Sequence, residues 1–296
     1  MPKPVAVAPG LHVVATPIGN LGDITLRAIA VLEQADVIAC EDARVTGKLK
    51  KAYGIDTPMT PYHEHNAGRA RPGLLTRLKR GEIVALVSDA GTPLISDPGY
   101  RLVAEAAAEG ITVTVVPGAT APVAALVASG LATDRFLFAG FLPSRAAARR
   151  KALAELAQVR ASLVFLESPR RLAASLGDMA AALGARDAAV IRELTKLHEE
   201  IRRGTLPELA AHYGSSGTPK GEVVVVVGAA TDDENADAAE SLDALLETAL
   251  KNQSVRDAAQ VVAIATGLPR RQVYGRALEM SGGQPGPGPS KNPSRR

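Results

Sequence analysis

Between Leu11 and Gly118 four short runs, LHVVAT, VIAC, EIVALVS and ITVTVVPG, are apolar at nearly every position. A strand with one face in water alternates apolar and polar residues. Runs like these need cover on both faces, and a parallel sheet flanked by helices supplies it. The stretches between them match. ITLRAIAVLEQA carries helical spacing, TGKLKKAYG reads as a short helix closed by Gly54, and Leu74, Leu75 and Leu78 mark a helix beyond the polar stretch TPMTPYHEHN. Residues 11–131 are therefore expected to form an α/β domain with a parallel sheet.

After Gly130 the texture changes. RFLFAGFLP, ASLVFLES, DAAVIREL, EEIRRGTL and GEVVVVVG are strand candidates with helices between only some of them. EEIRRGTL follows DAAVIREL so closely that the two read as a hairpin, which predicts a mixed or antiparallel sheet in a second α/β domain over 132–229. ATDDENADAAE, at 230–240, has linker composition. Residues 241–280 read as a small helical domain, with Ser254 and Asp257 spaced like a capping box and Gly267 and Pro269 dividing two short helices in a helix-turn-helix pattern. The tail 281–296 is expected to be disordered. A length of 296 residues accommodates two domains and such an appendage.

Three strands of the first domain end in loops of small residues: TPIGNLGD (Thr16–Asp23), SDAGTPLISDPG (Ser88–Gly99) and PGATAP (Pro117–Pro122). In a parallel sheet these ends fall on one edge, where such folds bind ligands, and glycine lets the backbone come close. The middle loop exceeds the about two to six residues a plain strand-to-helix turn needs, and it carries Asp89 and Asp97. One such loop is compatible with a tight turn; three together point to a shared ligand. No G-x-x-x-x-G-K-[ST] run, no G-x-G-x-x-G opening a helix, no G-x-S-x-G elbow and no Cys/His cluster with metal spacing is present. The common nucleotide and metal sites are thereby argued against.

The formal charge is only +3, but basic residues cluster at Arg69–Arg80, at Arg145–Lys151, at Arg170 and Arg171, and at Arg202 and Arg203. A solvated helix face accounts for any one cluster; several on one fold favour a phosphate-rich partner. Aromatic residues are scarce and Trp is absent, so broad stacking platforms are not expected to dominate nucleic-acid binding. The single cysteine, Cys40, lies in an apolar run and is expected as a buried, inert thiol. No signal-peptide pattern and no membrane-length apolar run is seen, and a soluble cytoplasmic protein is the expectation.

Seven segments, ATPIGNLGDIT, EDARVTGKLK, YHEHN, LVSDAGTPLISDPG, VPGATA, FLESPRR and RELTKLHEE, together resemble the tetrapyrrole-methylase superfamily. Within it they are most similar to the branch that methylates the ribose 2′-oxygen of a cytidine in 16S rRNA. The resemblance runs from Leu11 to about Met280 and implies an α/β fold of two domains plus the helical one. It also implies S-adenosylmethionine (SAM) as methyl donor, small-subunit rRNA as partner, and a homodimer. By position it implies cofactor contacts at Pro17, at Ser88, Asp89, Ala90, Gly91, Thr92 and Ile95, at Thr120 and Ala121, at Leu166 and Glu167, and at Leu194 and Lys196. The superfamily's Gly-Gly-Asp-Pro loop falls on Ala90-Gly91-Thr92-Pro93, so its aspartate is here Thr92, and Asp89 is the nearby carboxylate.

A ribose hydroxyl is a weak acid, so transfer to it calls for a general base or a local positive field. Candidates are Glu41 and Asp42, Glu167, Lys196 with Glu199, and above all His63 and Glu64 in YHEHN, where two imidazoles, a carboxylate, a phenol and an amide sit together. Each is equally explained as a loop hydrogen bond or surface charge. Arg170 and Arg171 are candidates for rRNA phosphate, as are Arg270 and Arg271 in the helical domain. Two other readings stay open: a methyltransferase acting on a corrin or siroheme precursor, and a helix-turn-helix DNA-binding regulator.

Overall fold

A computed structural model describes residues 6–95, 99–230, 242–251, 253–266, 268 and 270–281. Asp97, Gly267 and Pro269, the linker at 231–240 and the tail from 282 onward lie outside these residues.

The first sheet is fully parallel, with β1 (Gly10–Val14), β2 (Val37–Cys40), β3 (Met59–Pro61), β4 (Ile83–Val87) and β5 (Val113–Val116) in the order β3-β2-β4-β1-β5. Alternate strand residues enter two cores. Leu11, Val13, Val84 and Leu86 pack under α3 (Ala67–Lys79) and α4 (Tyr100–Ala108). Val14, Ile38, Ala85 and Val87 pack with α1 (Leu26–Gln34) and α2 (Ala43–Tyr53). Two boundaries differ from the sequence expectation. The polar stretch contains β3, a three-residue edge strand that tolerates Pro61 because an edge has a side with no ladder to break. α2 begins three residues earlier than TGKLKKAYG, because the Asp42 carboxylate accepts from the Arg44 N–H and caps it; Gly54 closes it in the left-handed conformation.

The second sheet is mixed: β6 (Phe136–Phe141), β7 (Ser162–Glu167), β8 (Asp187–Arg192), β9 (Glu200–Thr205) and β10 (Val223–Val227) run β6-β7-β10-β8-β9. β6 and β7 are parallel; the other pairings are antiparallel, including the β8–β9 hairpin. The five valines of β10 divide between faces. Val223, Val225 and Val227 face the core beneath α6 (Ala146–Leu156), α7 (Leu172–Leu183) and α8 (Leu206–Ser215). Val224 and Val226 face α5 (Ala121–Ser129) through Ala125 and Leu126. α5 thus leaves the first sheet directly after β5 and covers the second.

Three C-terminal helices, α9 (242–250), α10 (Val255–Thr266) and α11 (Arg270–Met280), share a core of Leu242, Leu246, Ala259, Val262, Val273 and Ala277. At α10 the Ser254 hydroxyl accepts from the Asp257 N–H (3.2 Å) and donates to the Asp257 carboxylate (2.6 Å). The acid therefore bonds the capping hydroxyl, where a full capping box would have it return to the backbone. No helix among the described residues is long and apolar enough to cross a membrane.

Candidate active site

The strand order sets β4, β1 and β5 side by side, so the three glycine-bearing loops are neighbours at the C-terminal edge. They are tied together. Thr16 and Gly91 exchange backbone hydrogen bonds of 2.9 and 3.0 Å, and the Thr92 hydroxyl donates to the Ala119 carbonyl at 3.2 Å. Gly91 sits at φ +80, and a Cβ there would stand 3.3 Å from the Ile18 side chain. Both the backbone angle and the close approach require glycine.

Over these loops, between the two sheets, lies a cavity of about 490 Å³, within the about 300–1,000 Å³ usual for small-molecule sites. Ile18, Phe141, Leu166, Ile191 and Leu194 supply apolar wall, and the backbone of Asp89–Thr92 and Thr120–Ala121 supplies polar groups. Its charged lining is one-sided: Glu41, Asp89, Glu167 and Glu222, with no Lys, Arg or His among the described residues. Such a lining disfavours phosphate and suits a cation with an apolar body. SAM, with its sulfonium, ammonium and adenine, fits that donor set.

Of the residues expected to hold the cofactor, Asp89, Ala90, Gly91, Thr92, Ile95, Thr120, Ala121, Leu166, Glu167 and Leu194 border this cavity. Pro17, Ser88 and Lys196 border an adjoining cleft behind the first loop, which Asp89 and Ala90 share. The Glu167 carboxylate is fully buried and accepts from the Ser175 hydroxyl (2.5 Å) and the Ser168 N–H (2.7 Å), and pairs with Arg171. It is committed to the protein, and only its backbone is left to meet a ligand. Lys196 Nζ reaches Glu193 at 2.9 Å and Glu222 at 3.1 Å, while its stem lies on Gly19. Burial pulls the Lys196 ammonium down, and the bonds to these two carboxylates outweigh that and raise it; Glu193 is lowered in turn, first by its bond from Lys196. The three non-glycine residues with positive φ among those described, Leu94, Glu193 and Thr195, all lie in loops bordering these cavities. Such outliers persist where surrounding structure holds them, characteristically at sites.

His63 and Glu64 fall in a third, more polar cavity of about 680 Å³, formed by the β3–α3 turn and the starts of α3 and α4. Its lining includes Tyr62, His65, Arg71, Tyr100 and Arg101. The His63 and His65 rings meet edge to face at 6.1 Å. Glu41, at the end of β2, borders both this cavity and the one above the glycine loops. Its Oε2 lies 3.4 Å from the Asp89 N–H, and the Asp89 carboxylate accepts from the Asp42 N–H at 3.0 Å. Burial pushes the Asp89 carboxyl up, partly offset by that N–H, with the Asp42 charge adding to the rise. The Arg44 guanidinium, bonded to Asp42, holds the Asp42 carboxyl down to about 2. Among the described residues no group of three or more His, Cys, Asp or Glu is placed to hold a metal ion.

The basic clusters thin out once folded. Arg149 is buried against Asp178, Arg77 pairs with Glu82, Arg71 with Glu105 and Lys79 with Glu109, and Arg203 donates to the carbonyls of Ala128 and Ser129. Arg171 is turned inward, onto the Leu142 carbonyl and Glu167, whereas Arg170 is exposed. Arg270 and Arg271 are exposed on α11, while Arg276 on the same helix is held by Asp243 and Glu279. Cys40 is buried, and burial raises its thiol.

Ile18, Phe141, Ile191 and the 221–224 segment also border the first cavity without having been expected there. β10 runs antiparallel to β7 and β8, so its beginning, not its end, meets the cavity. A uniform valine run carries no signal of direction.

The chain matches the profile of Tetrapyrrole (Corrin/Porphyrin) Methylases over residues 10–210 and that of the RsmI C-terminal HTH domain over 235–281. It is 54% identical to a "Ribosomal RNA small subunit methyltransferase I" of Mesorhizobium japonicum, covering 92% of each chain. It is 47% identical to a protein of that name from Synechocystis, covering 91% of this chain and 98% of the relative. Among solved structures it resembles uroporphyrin-III-C-methyltransferase from Thermus thermophilus (TM-score 0.53, 25% identity, 74% of this chain and 93% of that one). It shares its fold with a cobalt precorrin-4 methyltransferase (TM-score 0.57, 20% identity, 74% and 94%). The parallel sheet with its linked glycine loops, the mixed sheet closing a cavity over them and these matches place the chain in the tetrapyrrole methylase family, in the ribosomal RNA small subunit methyltransferase I branch.

Proposed function

We propose that this protein transfers a methyl group from SAM to the ribose 2′-oxygen of a cytidine in 16S rRNA. The observation that carries the cofactor half is the cavity above the glycine loops, lined by the carboxylates of Glu41, Asp89 and Glu222 and by no basic side chain. When bound, SAM supplies an activated methyl on sulfonium, so the protein has to position the acceptor and accept its proton. The rRNA half rests on the relatives named ribosomal RNA small subunit methyltransferase I and on the exposed Arg170, Arg270 and Arg271. His63 and Glu64 act on the acceptor from the adjoining cavity. The enzyme works in the cytoplasm, where its substrate is assembled, and as a homodimer. Supporting the dimer, β5, α5 and β6 expose the apolar side chains of Val115, Val123, Val127, Phe136 and Leu137.

A ribose methyl caps the oxygen that attacks the 3′ linkage in alkali. Small-subunit rRNA, free or in the subunit, incubated with enzyme and SAM and then hydrolysed in alkali, should therefore yield one protected dinucleotide containing cytidine. A methyl on a base, or acceptance by a tetrapyrrole alone, overturns the rRNA ribose assignment.

A further inference from the structure

Two cavities with different chemistry meet at one side chain. The cavity over the glycine loops has carboxylates and no basic group in its lining, whereas the His63 cavity sets Arg71, Arg101, His63 and His65 beside the carboxylates of Glu41 and Glu64. The strand order produces the division: the loops after β4, β1 and β5 floor the first, and those after β2 and β3 flank the second. Glu41, at the tip of β2 beside β4, borders both.

The second cavity is furnished for a nucleotide. Tyr100 is 73% exposed in a chain poor in aromatics, the most exposed of its tyrosines, and its hydroxyl has no hydrogen bond among the described residues. Arg101 beside it is exposed and has no ion pair among the described residues. Two helices begin at the cavity, α3 and α4, and neither has a side-chain cap; at α3 the Ala67 and Arg69 N–H groups already bond the His63 and Asn66 carbonyls, so α4 is the more open start. Uncapped N–H groups and the positive dipole end favour an anion. An unpaired base turned out of its strand stacks on such aromatic faces. Arg71 is already held by Glu105 and serves as wall.

We propose that this cavity receives one unpaired ribonucleotide of the substrate RNA, its base against Tyr100, its phosphate at the start of α4 beside Arg101, and that Glu41 takes the proton of its 2′-hydroxyl. This deepens the reading above and rests on it. The step balances: the O–H bond breaks with its proton passing to the Glu41 carboxylate, the oxygen forms a bond to the methyl carbon, and the carbon–sulfur bond breaks with its electron pair staying on sulfur. His63 and Glu64 hold the nucleotide from the facing wall.

The test uses the full chain and an rRNA fragment containing the target. Without SAM, Tyr100→Ala should weaken RNA binding about 5- to 150-fold, the range of a lost base–aromatic stack, and Arg101→Ala should weaken it and lower its salt dependence. Both should keep wild-type SAM affinity. Glu41→Gln should bind RNA as wild type yet slow single-turnover transfer at saturating SAM by about 10²- to 10⁴-fold, the usual worth of a general base. Wild-type RNA affinity in both Tyr100→Ala and Arg101→Ala, or loss of SAM affinity in place of RNA affinity, overturns the occupant. Transfer by Glu41→Gln at the wild-type rate overturns the proton assignment. If the wild-type enzyme itself methylates no RNA, the functional reading fails instead.

Discussion

Gly91 shows how narrowly single positions are held. It is bonded on both sides to Thr16, stands at φ +80, and has Ile18 within 3.3 Å of where a Cβ would go. Gly91→Val adds a branched side chain to an angle that L residues avoid and fills space beneath the ligand. The variant should lose SAM affinity measured by calorimetry and about 1–3 kcal/mol of stability from backbone strain. A folded variant with undiminished SAM affinity refutes the cofactor placement. Glu167 teaches the converse. Its position in FLESPRR pointed to the cofactor, and its residue does border the cavity, but the carboxylate turns away onto Ser175 and Arg171. The family resemblance placed the backbone; the direction of a side chain depends on partners eight residues downstream and on the carbonyl of Leu142, which Arg171 also bonds.

At the scale of elements, the strands were easiest to read where burial on both faces left no polar residue to confuse the period, as in β4 and β10. β3 was hidden because it has three residues, sits at an edge and contains Pro61. The packing of α5 on the second sheet was equally invisible, since its apolar composition fits either neighbour and only the partners Val164, Ile191 and Val224 decide. Caps are local, but only some were read: Gly54 was expected to close α2, while Asp42 at its start and the cap of α8 were not. Thr205 and Glu208 at α8 form a reciprocal pair, with the Thr205 N–H donating to the Glu208 carboxylate at 2.8 Å and the Thr205 hydroxyl accepting from the Glu208 N–H at 3.5 Å. Thr205→Ala should cost about 0.5–2 kcal/mol, the usual worth of such a cap, visible as a lower urea midpoint with an unchanged slope. An unaltered midpoint would mean that packing alone defines this helix start.

For the whole molecule, the seam between the sheets is held in part by Lys196, whose stem lies on Gly19 and whose ammonium is fixed by Glu193 and Glu222. The lowered Glu193 contributes stability above its ordinary value of 4.5 that is lost as pH falls through its folded value. The raised Lys196 contributes below its ordinary value of 10.5 and loses that as pH rises through its folded value. Glu193→Gln should accordingly show a shallower fall of denaturation midpoint with acid below pH 4.5 than the wild type; identical acid limbs would discount the clasp. The C-terminal helices have a core of their own, so ending the chain at Ala230 should spare SAM binding and weaken RNA binding. Unchanged RNA affinity and salt slope would remove those helices from recognition.

The order β6-β7-β10-β8-β9 has a consequence for synthesis on the ribosome. β10 occupies the middle of its sheet yet is the last of its strands in the chain, at Val223–Val227. Until it emerges, β6–β7 and β8–β9 are two separate ribbons, and each offers the edge that β10 will later fill. The closing event is long-range, the kind that slows folding and leaves intermediates exposed. The piece awaited is five consecutive valines, a segment with the composition of a sticky cross-β stretch while it is unpaired. A nascent chain stalled between Thr205 and Val223 should therefore carry a finished first sheet and an unfinished second one, with the roof of its ligand cavity still missing. Chaperone dependence and aggregation in this protein should concentrate in that window of translation.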